Sequence, residues 1–441
     1  MTRYIKLDNA SDCDILMKNL VRQAANVAAT AIGLSCRLCA AVLPDAVLDL
    51  GETPLANAYV RAEDLETADL FYPLRLLLCP QCGLAQLEAA ASPEAVFSSY
   101  QYFSSYSSTL LRHSQLFAES VVERLGLTAG DLVVEVASND GYLLHYFQAA
   151  GLDVLGIEPA ANVARVARER GIPTISRFFG AEAASELVRD GRAPRLVVAN
   201  NVVAHVPDLN DFLAGLSALL ARGATLSLEF HHLLRLVEGG QFDNIYHEHF
   251  QYFSLASLTT ALERHGLRVV DVEELTTQGG SLRVYARRAD SDPAAPSPAV
   301  TAVLAREAAA RLTDPETFHA LARRVNQQRE ALLAFLVDVK RSGRKAVGFG
   351  AAAKGNTLLN CSGIHADLVD YVVDSSPHKQ GLFLPGSRIP IVSPETVART
   401  RPDYLVILPW NLRAEVMAEM AQIRSWGGRF VVPGPRLEIL E

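Results

Sequence analysis

Two Cys-x-x-Cys pairs, Cys36-Arg-Leu-Cys39 and Cys79-Pro-Gln-Cys82-Gly83, constrain the folding of this chain more than any other feature. Each pair can grip one metal ion from a tight turn, so a tetrahedral zinc site must fold residues 40–78 back on themselves. Four thiolates complete the coordination shell, which makes the expected zinc structural rather than catalytic. No βαβ pattern surrounds either pair, which argues against a thioredoxin-type redox motif. Between the pairs, Pro54-Leu55-Ala56-Asn57 reads as a turn and Phe71–Leu78 as a strand entering the second pair.

A chain of 441 residues needs two or three such folding units. Its 49% apolar and 20% charged residues describe globular units with sizeable cores. A net charge of −8 argues against a general nucleic-acid or anionic-membrane binder. No apolar run is long enough to span a bilayer. The acids Asp8, Asp12 and Asp14 fit neither a secretory signal nor a transit peptide, so residues 1–33 read as an extension and a cytoplasmic location is expected.

Leu132-Val-Val-Glu135-Val-Ala137-Ser138-Asn139-Asp140-Gly141 has the form of a buried parallel strand followed by a small polar turn and an apolar helix. Turns of this kind hold nucleotides, because short side chains let a ligand approach the backbone and the helix N-terminus. The GxGxxG fingerprint is absent, so NAD is not indicated. A second strand, Val154–Ile157, ends in Glu158 and Pro159, where an acid can accept both hydroxyls of a ribose. The Glu135 and Glu158 pair on successive strands resembles S-adenosylmethionine sites of the methyltransferase fold. Asn200, Asn201 and His205 follow a third strand at its C-terminal end, where open α/β sheets place ligands.

Tyr246-His247-Glu248-His249 is the densest group of titratable residues in the chain and follows the strand Ala224–Phe230. Two readings arise. His247 and His249 as ligands of a catalytic zinc would make a hydrolase, but the spacing is not HExxH. Acid/base chemistry is preferred, with one imidazole as base and Glu248 or Tyr246 assisting it. The aromatic patch around Tyr100 and Tyr102 is expected to be either a packed linker or a substrate lid.

Residues 290–298 read as a linker and Pro298–Val339 as one or two long helices. A second α/β unit then begins at Lys345, with the glycine-rich stretch Gly348-Phe-Gly350-Ala-Ala-Ala-Lys354-Gly-Asn356. Such a turn can hold a diphosphate on backbone amides and a lysine. It lacks the GxxxxGK[ST] spacing of an ATPase.

The paired CxxC motifs, VEVASNDGYLL, NNVVAHVPD, YHEHFQYFS, GFGAAAKGNTLLN and VVDSSPHKQGLFLPG occur in that order. With them the chain resembles the nucleotide-sugar C-methyltransferases of antibiotic deoxysugar pathways. The resemblance implies a zinc-binding domain (34–95), a class I S-adenosylmethionine-dependent methyltransferase domain (96–290) and a Rossmann-like nucleotide-sugar domain (291–441). It implies His249 as the general base, flanked by Tyr246 and Glu248, with His205 in the same site. Tyr100 or Tyr102 would lie near the sugar, and Lys354 and Asn356 in the turn holding the diphosphate. Gln278 stands where many relatives carry histidine. The implied substrate is a 4-keto-deoxysugar on thymidine diphosphate, methylated next to the ketone, at C3 ahead of C5. A monomer or weak homo-oligomer is expected. The runner-up is a pathway protein that binds nucleotide sugars without methylating them.

Overall fold

The computed structural model describes residues 34–88, 105, 108–291 and 295–441. The expected extension 1–33, Tyr100 and Tyr102 lie outside them. Among the described residues, no helix is long and apolar enough to cross a membrane.

The first sheet is an antiparallel meander of β1 (Leu48–Thr53), β2 (Tyr72–Leu78) and β3 (Ala85–Leu87). Leu74, Leu76 and Leu78 alternate along β2 and share one face. They pack into a core with Leu48, Leu50 and residues of the helices Leu233–Gly239 and Pro315–Arg341. A fourth strand, β9 (Gln251–Tyr252), completes this sheet from far along the chain, with Ala85 opposite Tyr252.

The second sheet contains β4 (Leu132–Val136), β5 (Asp153–Ile157), β6 (Thr174–Ile175), β7 (Leu196–Asn200), β8 (Thr225–His231), β10 (Leu267–Leu275) and β11 (Ser281–Arg288). Their order is β10-β11-β8-β7-β4-β5-β6, and only β11 runs against its neighbours. Helices cover both faces, which explains the uninterrupted apolar runs Val133-Val134 and Leu196–Ala199. The strand order reverses at β4, between β5 and β7, so the ligand crevice falls beyond their C-terminal ends. The helix Ser108–Leu125 packs beside this sheet through His113, whose Nε2 lies 2.9 Å from the buried Glu229 carboxylate. Arg283 donates to the same carboxylate at 2.6 Å.

The turn after β4 has a demanding backbone. Ala137, Asn139 and Gly141 all take positive φ, at 55°, 49° and 79°. A Cβ on Gly141 would also lie 2.8 Å from Cγ1 of Ile172. Gly141→Ala is therefore expected to cost roughly 1–3 kcal/mol, read as a lowered urea midpoint. An unchanged midpoint would show that the turn relaxes freely.

The expected long helical segment is two helices, Pro298–Ala309 and Pro315–Arg341. The second starts with Asp314 as N-cap and Pro315 at its first position. It buries Phe318, Leu321, Val325, Leu332, Leu336 and Val339, a stripe at helical spacing. The third sheet is β12 (Ala346–Phe349), β13 (Val372–Val373), β14 (Ile391–Val392), β15 (Tyr404–Ile407), β16 (Arg429–Val432) and β17 (Glu438–Leu440). Its order, β14-β13-β12-β15-β16-β17, is parallel except at β17 and reverses at β12. One apolar core joins β1 to β3 with residues of this third sheet, so the zinc-binding and C-terminal units pack directly together.

Candidate active site

The four cysteines converge. Their sulfurs all lie within 4.8 Å of one another, with Cys36 Sγ 3.6 Å from Cys82 and Cys39 Sγ 3.5 Å from Cys79. Cys36 and Cys79 are buried, and Cys39 and Cys82 partly so. The contact with Cys82 draws the Cys36 thiol down to about 4 and pushes Cys82 up. Gln86 Nε2 also donates to Cys36 Sγ at 3.2 Å, and donors of this kind orient a metal-bound thiolate. The donor set fits a closed structural zinc site. Among the described residues it is the one cluster that could hold a metal ion.

That site touches the histidine segment directly. Arg37 donates to the carbonyls of Leu87 at 2.6 Å and Phe250 at 3.2 Å, and Leu87 N–H donates to Phe250 O at 2.9 Å. The segment from Ile245 to Phe250 has no helical turn of its own, and these contacts fix it from outside.

Beyond β4 and β7 lies a group of polar atoms without partners. Glu135 Oε2, Ser138 Oγ, Asp140 Oδ1 and Asn200 Oδ1 are buried and accept or donate no hydrogen bond among the described residues. Burial, then the neighbouring Glu158 and Asp140, raise the Glu135 carboxyl well above its usual range. Glu158 receives Asn139 N–H at 2.9 Å and Ala160 N–H at 2.8 Å, so it ties the two turns together while each oxygen keeps a further lone pair. Asn201 has φ 55° and donates its N–H to Glu229 O at 2.7 Å. Pro159 stands between Glu158 and Ala160 at the same rim. Such a group of unsatisfied polar atoms at a sheet's switch point is what a polar ligand would satisfy.

The histidine segment turns back over the ends of β7 and β8. Tyr246 and His249 rings stack with centroids 4.0 Å apart, and the His205 ring lies 4.6 Å from His249. His249 Nδ1 sits 3.0 Å from the Asn244 carbonyl, which can only accept, so Nδ1 carries the hydrogen and Nε2 carries the lone pair. Burial, then His205, pull the His249 pKa well below 6.5, and burial takes His205 to about 4. Both rings are neutral at physiological pH. The His205 ring bonds to the backbone of Glu248. The Glu248 carboxyl is 5% exposed, and burial raises it to about 7.

The two readings of the His-Glu-His run separate here. His247 points away from His249, with Nε2 3.2 Å from Pro73 O and its ring edge-on to Tyr72. The two rings serve different neighbours, and the His249 ring lies instead with those of His205 and Tyr246.

His231, at the end of β8, joins this centre and was not singled out from sequence. Its Nε2 donates to Gln241 Oε1 at 2.7 Å, and Gln241 donates to Gly279 O at 2.8 Å. Nδ1 of His231 has no partner among the described residues. Its position at a strand's C-terminal end was the available signal. The turn carrying Gln278 thus holds Gln241 by a backbone carbonyl, and Gln278 itself has φ 53°.

The C-terminal unit closes the other side. Lys354 and Asn356 stand in the first turn of the helix Ala353–Cys361, just past the Gly350–Ala352 turn. Lys354 donates to Asn411 Oδ1 at 2.8 Å and lies over the Trp410 ring. Burial lowers its pKa while Asp243 raises it, and its charge reaches both His231 and His249. Asp243, itself buried, accepts from Trp410 Nε1 at 2.7 Å. Asn356 is 1% exposed and is used within the protein, donating to Ala56 O at 3.1 Å and accepting from Asn360 at 3.0 Å.

Comparison with known proteins follows the same three units. Family models match residues 36–97 as a zinc binding domain, 110–272 as a methyltransferase domain and 276–435 as a C-methyltransferase C-terminal domain. Among solved structures, the magnesium protoporphyrin IX methyltransferase of Synechocystis, with bound SAM, is 19% identical over 40% of this chain and 79% of its own, with a TM-score of 0.31. The PH0226 protein of Pyrococcus horikoshii is 12% identical over 44% and 98%, with a TM-score of 0.34. The C-methyltransferase NovU of Streptomyces niveus is 38% identical over 405 residues, covering 92% of this chain and 96% of NovU. Likeness of that extent, over nearly the full length of both chains, places this chain in the C-methyltransferase family to which NovU belongs.

Proposed function

We propose that the protein uses S-adenosylmethionine to methylate a carbon next to the ketone of a nucleotide-linked 4-keto-deoxysugar, with C3 as the carbon. The observation that carries this reading is the buried, neutral His249, with its Nδ1 hydrogen committed to a carbonyl and its Nε2 lone pair free to act as a base. The unpartnered atoms of Glu135, Ser138 and Asn200 would hold the methyl donor together with Ala137, Asn139, Gly141, Glu158, Pro159 and Asn201. Bound S-adenosylmethionine supplies a methyl group already activated by sulfonium charge, so the chain need only bind, orient and deprotonate.

His249 Nε2 takes the C3 hydrogen as a proton, and the electron pair of that bond moves into the ring to leave an enolate with its charge on the C4 oxygen. Tyr246, against the His249 ring, is the donor for that oxygen, while the neutral His205 spends its N–H on the Glu248 backbone and packs beside the base. A donor of this kind is worth roughly 3–4 kcal/mol where measured. Lys354 supplies the nearest buried cation and balances the charge of the diphosphate or the enolate. A thymidine diphosphate carrier suits the turn at Gly350–Ala352, and Asn356 supports that turn from behind. Tyr100 and Tyr102 remain candidates for sugar contacts.

Calorimetric titration with S-adenosylmethionine, then with thymidine diphosphate in the same cell, tests both sites. Saturable and independent binding of both is the expected result. Binding of thymidine diphosphate alone would favour a handling protein over a methyltransferase of sugars. Binding of neither would overturn the proposal.

A further inference from the structure

The segment Ala56–Tyr59 of the zinc-binding unit crosses to both other units within four residues. Ala56 O accepts from Asn356, and the Tyr59 hydroxyl donates to Ala351 O at 2.6 Å. Between them, Asn57 Nδ2 lies 2.6 Å from Glu248 Oε1, while Asn57 Oδ1 faces the Tyr59 hydroxyl at 3.2 Å. A charged Glu248 carboxylate can only accept, so it turns the amide nitrogen of Asn57 toward itself. Asn57 is exposed at the rim, and the carboxyl it holds is buried.

We propose that Asn57 is a positioning residue of the methyl-transfer site, fixing from the zinc-binding unit the carboxylate of Glu248, whose backbone holds the His205 ring. The inference rests on the acid/base reading of the site. Asn57 gives Glu248 a hydrogen bond that favours its charged form, against a burial cost that favours the neutral one. The other titratable groups around Glu248 are few. Tyr246, His247 and His249 lie on its own segment, and the His205 ring bonds to its backbone. Tyr59 faces it from the zinc-binding unit, with Lys379 and Asp374 of the C-terminal unit behind Tyr59. The hydrogen bond from Asn57 opposes burial by lowering the Glu248 pKa.

The consequence is graded. Asn57→Ala removes the donor, and Asn57→Asp places a second carboxylate against the first. Both should raise the pH at which Glu248 titrates, Asn57→Ala by roughly one to two units and Asn57→Asp by more. Carbon-13 NMR of enzyme labelled at the glutamate carboxyl carbon reads this directly, with the signal assigned by its loss in Glu248→Gln. Zinc content and circular dichroism confirm that each variant is folded, and the near-isosteric Asn57→Asp serves if Asn57→Ala is not. Titration at the same pH in wild type and folded variants would overturn the proposal. The kcat–pH profile supplies the second readout. The limb absent in Glu248→Gln should move upward in both variants. A uniform fall in kcat with no displaced limb would assign Asn57 a merely structural role and overturn the proposal. Absence of sugar methylation in the wild type would refute the function reading alone, because the NMR titration does not depend on turnover.

Discussion

Replacing His249 by Asn is expected to lower turnover by roughly 10²–10⁴-fold while S-adenosylmethionine affinity stays within about threefold. The separation follows from the geometry. His249 stands with Tyr246 and His205, whereas the unpartnered polar atoms that suit the methyl donor line the ends of β4 and β7. Asn preserves polarity and much of the volume but has no basic nitrogen. Exchange of the sugar's C3 hydrogen in heavy water, without methyl donor, isolates the proton step. Wild type should exchange it and His249→Asn should not; exchange at the wild-type rate would remove His249 from the role of base.

Loss of the zinc site should have an effect as large, although no cysteine touches the histidine centre. Cys36→Ser, or chelation of the metal, is expected to lower turnover by more than roughly 10²-fold with S-adenosylmethionine binding retained. The route is short. Cys36 receives Gln86, Gln86 pairs with Gln251, and Arg37 and Leu87 hold Phe250, the neighbour of His249. Without metal the knuckles lose the tie that gives β3 its place, and the irregular segment Ile245–Phe250 loses its outside support. Zinc content measured beside turnover and methyl-donor binding checks this. Full turnover by folded, zinc-free protein would show that the site is dispensable to catalysis.

Much of this arrangement was legible in the residues. Paired thiols have one common use at that spacing, and a buried strand that ends in small polar residues announces a crevice. The density of acids and bases marks the run Tyr246–His249, and the family resemblance points to His249 within it. What stayed hidden depends on contacts between units distant in sequence. Asn57 in a short turn carries no local sign of reaching Glu248. Lys354 reads as a lysine beside a diphosphate turn, and nothing local tells that Trp410 and Asn411 contact it and that Asp243 acts on its charge. Asn356 looked available to substrate, but its amide is used on Ala56 and Asn360. Periodicity reports which face of an element is buried and does not say which partner buries it.

The pairing of β3 with β9 also orders events during synthesis. As the chain leaves the ribosome, β1, β2 and β3 are complete while the partner of β3 has yet to be made. The meander must wait with one open edge until β4 to β8 have followed it out. A nascent chain halted before Gln251 would therefore carry a finished metal knuckle, most of a parallel sheet and a bare β3 edge open to pairing with another chain.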